Sequence, residues 1–141
     1  MTAAQAPGGA PAAMDRRLGL VVTQSRYVPY SHAHYGGSLV DGAYVLGLFG
    51  DAGTELCIRC DGDEGLFASY SDVQFREPVR AGDVLEVIAT VTRVGRRSRE
   101  VAFEARVTCR ADPGRGPSAA VVLAEPLIVV TATGTVVVPA G

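Results

Sequence analysis

The chain has 141 residues, a formal net charge of −2 and 48% hydrophobic residues, which suits one domain with a substantial core. This charge gives no reason to expect nucleic acid as a partner, and no apolar run approaches the ~20 residues of a membrane-spanning helix. The sequence contains no lysine, so catalysis by a lysine nucleophile or a Schiff base is excluded.

Residues 1–17 are rich in alanine, proline and glycine, and we predict that they form a disordered tail. They lack the basic-then-apolar order of a signal peptide. We therefore expect one folded domain over residues 18–141 and a cytoplasmic location.

A first strand is predicted over Leu18–Tyr27, followed by an aromatic-rich loop that ends at the glycine pair Gly36-Gly37. A helix is predicted from Ser38, because Ser38 and Asp41 form an S-x-x-D capping pattern. It extends to about Leu56 without an interrupting proline. The acidic, glycine-rich segment that follows is predicted to be a turn.

The rest of the chain has strand patterns. Val84–Val94 alternates apolar and polar residues, as expected of a half-buried strand. The other predicted strands are Phe67–Phe75, Glu100–Cys109, Ala119–Val130 and Thr135–Val138, with turns at Gly95–Ser98, Ala111–Ser118 and Thr133–Gly134. One long helix followed by antiparallel strands predicts an α+β domain with about five to six strands.

One face of the predicted helix consists mostly of small residues. At about 100° per residue this face contains Leu39, Gly42, Ala43, Leu46, Gly50, Gly53 and Cys57. A glycine inside a helix costs about 1 kcal/mol relative to alanine. We therefore expect this face to lie close to the sheet. Cys57 and Cys60 have CxxC spacing but no second pair, so small buried thiols are favoured over a zinc site.

A second stripe of the helix contains Tyr44, Leu48, Asp51 and Glu55. Asp51 and Glu55 are one turn apart and point the same way, and the residues flanking them are apolar. We therefore expect both carboxylates at a second packed surface, a subunit interface, with a functional role favoured over plain solvation. Desolvation there would raise their pKa values into a range suited to proton transfer, and the two could take different roles.

The segment HAHYGG before the helix allows three interpretations. His32 and His34 without a third ligand are a weak metal signal, and a polar loop with a chain reversal is the second interpretation. The third, which we favour, is that His34, Tyr35 and the glycine pair contact a ligand. A helix N-terminus beside them would polarise a carbonyl oxygen, such as that of a thioester.

Several motifs carry a family resemblance. In order they are AHYGGSLVDGA (Ala33–Ala43), LFGDAGTEL (Leu48–Leu56), DGDEGLF (Asp61–Phe67) and VQFREPVRAGD (Val73–Asp83). They resemble the 3-aminobutyryl-CoA and β-alanyl-CoA ammonia-lyases, which have the hotdog fold: a long central helix wrapped by an antiparallel sheet. The resemblance extends from about residue 30 to residue 107.

The resemblance implies reversible elimination of ammonia from the β-carbon of an acyl-CoA, without metal or organic cofactor. It implies a homodimer or larger homo-oligomer with the active site between subunits. Asp51 or Glu55 would be the base and the other would bind the β-ammonium group, with Tyr44 also in contact with substrate. Tyr35, Gly36 and Gly37 would lie against the thioester carbonyl, with His34 in support.

The phosphates of coenzyme A need cations, and Arg96, Arg97 and Arg99 at a predicted hairpin turn could bind them. A solvated turn is the equally weighted alternative. Three other functions stay open: a thioesterase, addition of an amino acid to an enoyl thioester on CoA or a carrier protein, and a non-catalytic acyl-CoA-binding module. Paired carboxylates argue against the last, since binding an anionic coenzyme does not require them.

Overall fold

The computed structural model describes residues 15–139. Within them the fold is α+β, with one long helix packed across a five-stranded antiparallel sheet, as predicted. The elements in chain order are β1 (Val21–Tyr27), α1 (Gly42–Asp61), β2 (Leu66–Phe75), β3 (Val84–Val94), β4 (Ser98–Ala111) and β5 (Ala120–Val137). The strand order is β1-β3-β4-β5-β2, so β1 and β2 form the two edges of the sheet. No helix within residues 15–139 is both long and apolar enough to cross a membrane.

The core lies between α1 and the facing side of the sheet. Alternate residues of the central strands are buried there: Leu85, Val87, Ala89 and Val91 of β3, and Val101, Phe103, Ala105 and Val107 of β4. From the helix, Phe49 stacks on Phe103 with ring centroids 5.0 Å apart. The period-two pattern predicted for Val84–Val94 therefore matches the alternation of buried and partly buried residues along β3.

The helix begins later and ends later than predicted. Its N-cap is Asp41, whose carboxylate accepts a hydrogen bond from the backbone N–H of Tyr44. Ser38 lies outside the helix with φ of 61°, because the segment before Asp41 pairs with the β2–β3 connection: Val40 N–H donates to the Val79 carbonyl and Ala81 N–H donates to the Ser38 carbonyl. The prediction that Ser38 caps the helix is therefore wrong.

At its other end α1 continues to Asp61. Cys57 and Cys60 therefore both lie inside the helix, beyond the end predicted near Leu56. Both are free thiols. Cys57 is buried, and this burial raises the pKa of its thiol to about 11, which keeps it protonated.

The buried face of α1 overlaps the small-residue face only in part, at Gly53 and Cys57. Its largest contributions come from Val45, Phe49 and Leu56, three of the apolar residues that flank the stripe of Asp51 and Glu55. Of the small residues, Gly42 and Gly53 approach the sheet, where an added Cβ would lie 2.6 Å from Phe75 and 3.3 Å from Phe103; at Gly50 it would meet nothing within 4 Å. Burying one large apolar side chain stabilises by about 1.5–3 kcal/mol, which outweighs what small residues gain from close approach.

Thr133–Gly134 is not a hairpin turn, because β5 passes through both residues without a break. Gly134 pairs with Val101 of β4 on one side and with Tyr70 of β2 on the other. A Cβ at Gly134 would lie 2.5 Å from Phe67 and 2.8 Å from Phe103. The glycine therefore accommodates two phenyl rings rather than a chain reversal, and the two predicted final strands are one.

The predicted tail lies outside the described residues except for Asp15–Arg17. Within that short segment Arg17 Nη1 donates a hydrogen bond to Asp61 Oδ1 at 2.8 Å, which connects the start of the described chain to the end of α1.

Candidate active site

The loop before α1 forms a tight hairpin-like excursion. The backbone N–H groups of His34 and Tyr35 both donate to the Leu39 carbonyl, at 2.8 and 3.0 Å. The residues between Tyr35 and Leu39, which include Gly36 and Gly37, are exposed at the tip of the loop. The rings of His34 and Tyr35 meet edge to face with centroids 4.7 Å apart. The two rings therefore pack on each other within this loop.

A cleft of about 470 Å³ lies between this loop and the first turn of α1. Tyr35, Asp41 and Gly42 line it, and Phe75 at the end of β2 forms its apolar wall. Tyr35 thus shares a space with the helix N-terminus, although Gly37 lies five residues before the first helical residue. The Asp41 carboxylate that caps the helix faces the same end, so a bound carbonyl there would meet a negative charge as well as N–H groups.

Glu55 is held by two side chains. Gln24 Nε2 donates to its Oε1 at 2.7 Å, and Arg59 Nε donates to its Oε2 at 2.8 Å. Gln24 is itself held on β1 by Arg26 Nη2, which donates to its Oε1 at 2.7 Å. The Gln24 and Arg59 hydrogen bonds lower the pKa of Glu55 against a smaller opposing effect of burial. In the single chain Glu55 is therefore a stabilised anion, not the carboxylate of raised pKa that desolvation would produce.

Asp51 is exposed and, among residues 15–139, accepts no side-chain hydrogen bond. It lies close enough to Tyr44 for its charge to act on the phenol: partial burial raises the pKa of Tyr44, Arg26 opposes the rise and Asp51 adds to it. The Tyr44 ring also packs on His32, with centroids 4.4 Å apart. We call the residues His32, Tyr44, Asp51 and Glu55 the carboxylate strip.

The carboxylate strip and the cleft lie on different flanks of α1. Glu55 contacts Gln24 of β1, whereas Gly42 packs on Phe75 of β2, at the opposite edge of the sheet. Neither Asp51 nor Glu55 lines the cleft that contains Tyr35. One protomer therefore brings Asp51, Glu55 and Tyr44 together, and His34 with Tyr35, but does not join the two groups.

The three arginines predicted to bind phosphate separate in the structure. Arg99 is only 3% exposed; its Nε and Nη2 donate to Asp61 at 2.9 and 2.8 Å, and its Nη1 donates to the Gly95 and Ser98 carbonyls. Arg96 and Arg97 are exposed. Because Asp61 ends α1, this turn lies at the far end of the helix from the cleft, about 30 Å away at 1.5 Å per residue.

Sequence reasoning missed the side chains that hold Glu55. A signal was present, since Gln24 and Arg26 are polar residues at i and i+2 and so share one face of β1. Arg59 at four residues beyond Glu55 is likewise a recognisable helical pair. Only the fold shows that the polar face of β1 meets the helix at Glu55.

A family model described as the thioesterase superfamily matches residues 37–111, just over half of the chain and including Asp51 and Glu55. The chain belongs to the thioesterase superfamily. Within this superfamily it is 52% identical over 107 residues, 76% of the chain and 85% of the relative, to the 3-aminobutyryl-CoA ammonia lyase of Acetoanaerobium sticklandii. At this similarity the chain belongs to the family of that lyase, which confirms the resemblance seen in the sequence.

Solved structures agree with this assignment. The β-alanyl-CoA:ammonia lyase from Clostridium propionicum superposes with a TM-score of 0.80 at 34% identity, covering 86% of each chain. A hexameric hotdog fold thioesterase of Campylobacter jejuni superposes with a TM-score of 0.67 at 22% identity, covering 83% of this chain and 81% of its own. The second likeness shows the hotdog fold alone.

Proposed function

We propose that the protein is a carbon–nitrogen lyase that reversibly removes ammonia from the β-carbon of a short β-aminoacyl-CoA, leaving an enoyl-CoA. The observation that carries this proposal is the 52% identity to a 3-aminobutyryl-CoA ammonia lyase over 76% of the chain. The superposition with a β-alanyl-CoA:ammonia lyase supports the same reaction class.

The reaction needs two groups that move or hold protons. A base takes the α-proton, which the thioester carbonyl acidifies, and the electron pair forms the double bond as the C–N bond breaks. The amine leaves as ammonia when its nitrogen already carries the additional proton, so a carboxylate that binds the β-ammonium group assists departure. The proposed chemistry uses no metal or organic cofactor.

The geometry favours different roles for the two carboxylates. Glu55 is kept ionised by Gln24 and Arg59, and each of its oxygens retains a lone pair for a further donor. We assign Glu55 to the β-ammonium group. Asp51 accepts no side-chain hydrogen bond from the described residues and faces outward beside Tyr44. We assign Asp51 as the base and Tyr44 as a substrate contact.

A composite site accounts for the separation of the carboxylate strip from the cleft. We propose a homodimer or larger homo-oligomer in which the strip of one subunit faces the cleft of another. There His34 and the Tyr35-Gly36-Gly37 tip would contact the thioester. The exposed position of Asp51 supports this, because a catalytic carboxylate needs cover that one protomer does not provide. The proposal includes a cytoplasmic location, where CoA thioesters are metabolised.

Subunit complementation tests the composite site. A double variant, Asp51→Asn with Glu55→Gln, and a cleft variant, Tyr35→Ala, are each expected to be inactive. If the site is shared across a two-fold axis, co-expression of the two regenerates intact sites in mixed dimers, about a quarter of all sites for random pairing. Activity no greater than the sum of the two variants would contradict a shared site.

A thioesterase is the second candidate, supported by the superfamily to which residues 37–111 belong. There a carboxylate would activate water towards the thioester carbonyl. The experiment that separates the two uses 3-aminobutyryl-CoA and follows enoyl absorbance and free thiol together. Lyase activity raises enoyl absorbance with no thiol; hydrolysis releases thiol with no enoyl signal.

Near-normal turnover of both single variants, Asp51→Asn and Glu55→Gln, would overturn the assignment of roles.

A further inference from the structure

A second cavity, of about 660 Å³, lies next to the cleft. Gly37 and Ser38 line this cavity, whereas Tyr35 and Leu39 line the cleft, so one short stretch of chain separates the two spaces. The volume is in the range of small-molecule sites. The walls come from the ends of β1 and β4, the β2–β3 connection and the loop before β5.

The cavity has a fixed frame. Gly82 has φ of +90° and an added Cβ there would lie 2.7 Å from the hydroxyl oxygen of Tyr30, so glycine lets the tyrosine ring lie directly on the backbone. The Gly82 N–H donates to the Val28 carbonyl at 2.7 Å, and the Ala81 N–H donates to the Ser38 carbonyl at 2.8 Å. These bonds hold the β2–β3 connection, and Arg80 with it, against the loop that borders the cleft.

The charge of the cavity favours an anion. Among residues 15–139, no Asp or Glu side chain lines it, while Arg80 and Arg110 do. Arg110 is paired with the fully buried Asp83, through Nε to Oδ1 at 2.9 Å and Nη2 to Oδ2 at 2.8 Å. The guanidinium of Arg80 is exposed and has no hydrogen-bond or salt-bridge partner within residues 15–139. One uncompensated positive charge therefore faces the cavity.

Two aromatic rings lie beside that charge. Tyr27 is 55% exposed and Tyr30 is 60% exposed, and both line the cavity. Aromatic rings stack on nucleobases, and arginine pairs with phosphate through parallel N–H groups. The combination matches a molecule that has a purine ring and phosphate groups close together.

We propose that this cavity binds the phosphorylated adenosine end of the CoA thioester, with Arg80 on a phosphate and Tyr27 or Tyr30 on the adenine. The inference rests on the proposed function, since only a CoA thioester connects such a nucleotide to an acyl group in the neighbouring cleft. Within one protomer, this cavity takes the phosphate-binding role that the sequence suggested for Arg96 and Arg97, because their turn lies at the far end of α1 from the cleft.

Calorimetry with adenosine 3′,5′-bisphosphate tests the cavity without requiring turnover. Wild-type protein is compared with Arg80→Ala and with Arg93→Ala, a control at an exposed arginine of β3 that forms a salt bridge with Glu100 at 3.4 Å. Removing one charged hydrogen-bond donor to a phosphate is expected to weaken binding about tenfold or more in Arg80→Ala, and the control should bind as wild type does. Arg97→Ala tests the alternative that the predicted turn with Arg96 and Arg97 binds the phosphates.

Kinetics then connect the cavity to the substrate. Arg80→Ala should raise KM for crotonyl-CoA with little change in kcat, and should leave KM for crotonyl-pantetheine, which lacks the nucleotide, at its wild-type value. The bisphosphate should compete with crotonyl-CoA. Equal binding by wild type and Arg80→Ala, a loss that follows Arg97→Ala instead, or binding without competition would each overturn the inference. If the protein binds the nucleotide through Arg80 but adds no ammonia to crotonyl-CoA, the proposed lyase function fails while the nucleotide site stands.

Discussion

The ion pair between Asp83 and Arg110 gives a prediction whose size follows from the structure. Asp83 is 0% exposed and accepts three hydrogen bonds, one from the Arg80 backbone N–H at 2.8 Å and two from Arg110. In Asp83→Asn one oxygen is replaced by an NH₂ group, which confronts an arginine N–H. Arg110 then keeps a largely buried charge without a counter-ion.

Removing one partner of a buried ion pair costs about 3–5 kcal/mol. For a domain of this size, each 1 kcal/mol lowers the melting temperature by about 3–5 °C, so Asp83→Asn should melt at least about 10 °C below wild type. Urea unfolding followed by circular dichroism, at one fixed protomer concentration, measures the free energy directly.

The matched control is Glu100→Gln, which breaks the exposed Arg93–Glu100 pair at 3.4 Å. An exposed pair contributes about 0–1 kcal/mol, so this variant should unfold close to wild type. If Asp83→Asn were no less stable than Glu100→Gln, the reasoning that Asp83 compensates a largely buried charge on Arg110 would be wrong. A double variant, Asp83→Leu with Arg110→Met, should recover part of the loss because no unpaired charge remains.

Three further outcomes are expected. Gln24→Leu removes the main cause of the lowered pKa of Glu55. The pKa of Glu55 should therefore rise, and the acid limb of the kcat/KM profile should move to higher pH. The control Gln74→Leu, at an exposed glutamine of β2, should leave the profile unchanged. The hydrogen bond from Arg99 lowers the pKa of Asp61 in the folded state. The ionised Asp61 carboxylate therefore stabilises the fold above its unfolded pKa of about 3.9, and this stabilisation is lost as pH falls through the folded value. Below about pH 5, urea midpoints should decline less steeply with falling pH in Asp61→Asn than in wild type. Gly134→Ala places a methyl group 2.5 Å from Phe67 and should destabilise by about 1–3 kcal/mol in the same unfolding assay.

Local patterns predicted the parts of the fold that local forces determine. The bounds of β3 agree with the prediction at both ends, because apolar and polar residues alternate along its whole length between clear turn signals. The start of α1 was missed because backbone pairing between Val40 and Val79, 39 residues apart in the sequence, extends the segment that Ser38 would otherwise have capped. The prediction of a turn at Thr133–Gly134 fails because nothing near Gly134 in the sequence reveals the rings of Phe67 and Phe103.

The same division applies to the candidate site. Helical spacing is enough to place Asp51 and Glu55 on one stripe, since residues four apart are neighbours in any helix. It does not predict the ionisation of Glu55, because Gln24 reaches it from 31 positions earlier in the chain. Arg99 donates to Asp61, 38 positions away, and is buried, so it does not share the surface of the turn with Arg96 and Arg97.

The measurement that tests the proposed function most directly is incubation of the purified protein with crotonyl-CoA and ammonium, followed by mass spectrometry and a thiol assay. We expect enoyl absorbance to fall without release of thiol, and a CoA thioester heavier by one ammonia to form. Release of free CoA and crotonate would instead identify a thioesterase and contradict the proposed carbon–nitrogen lyase.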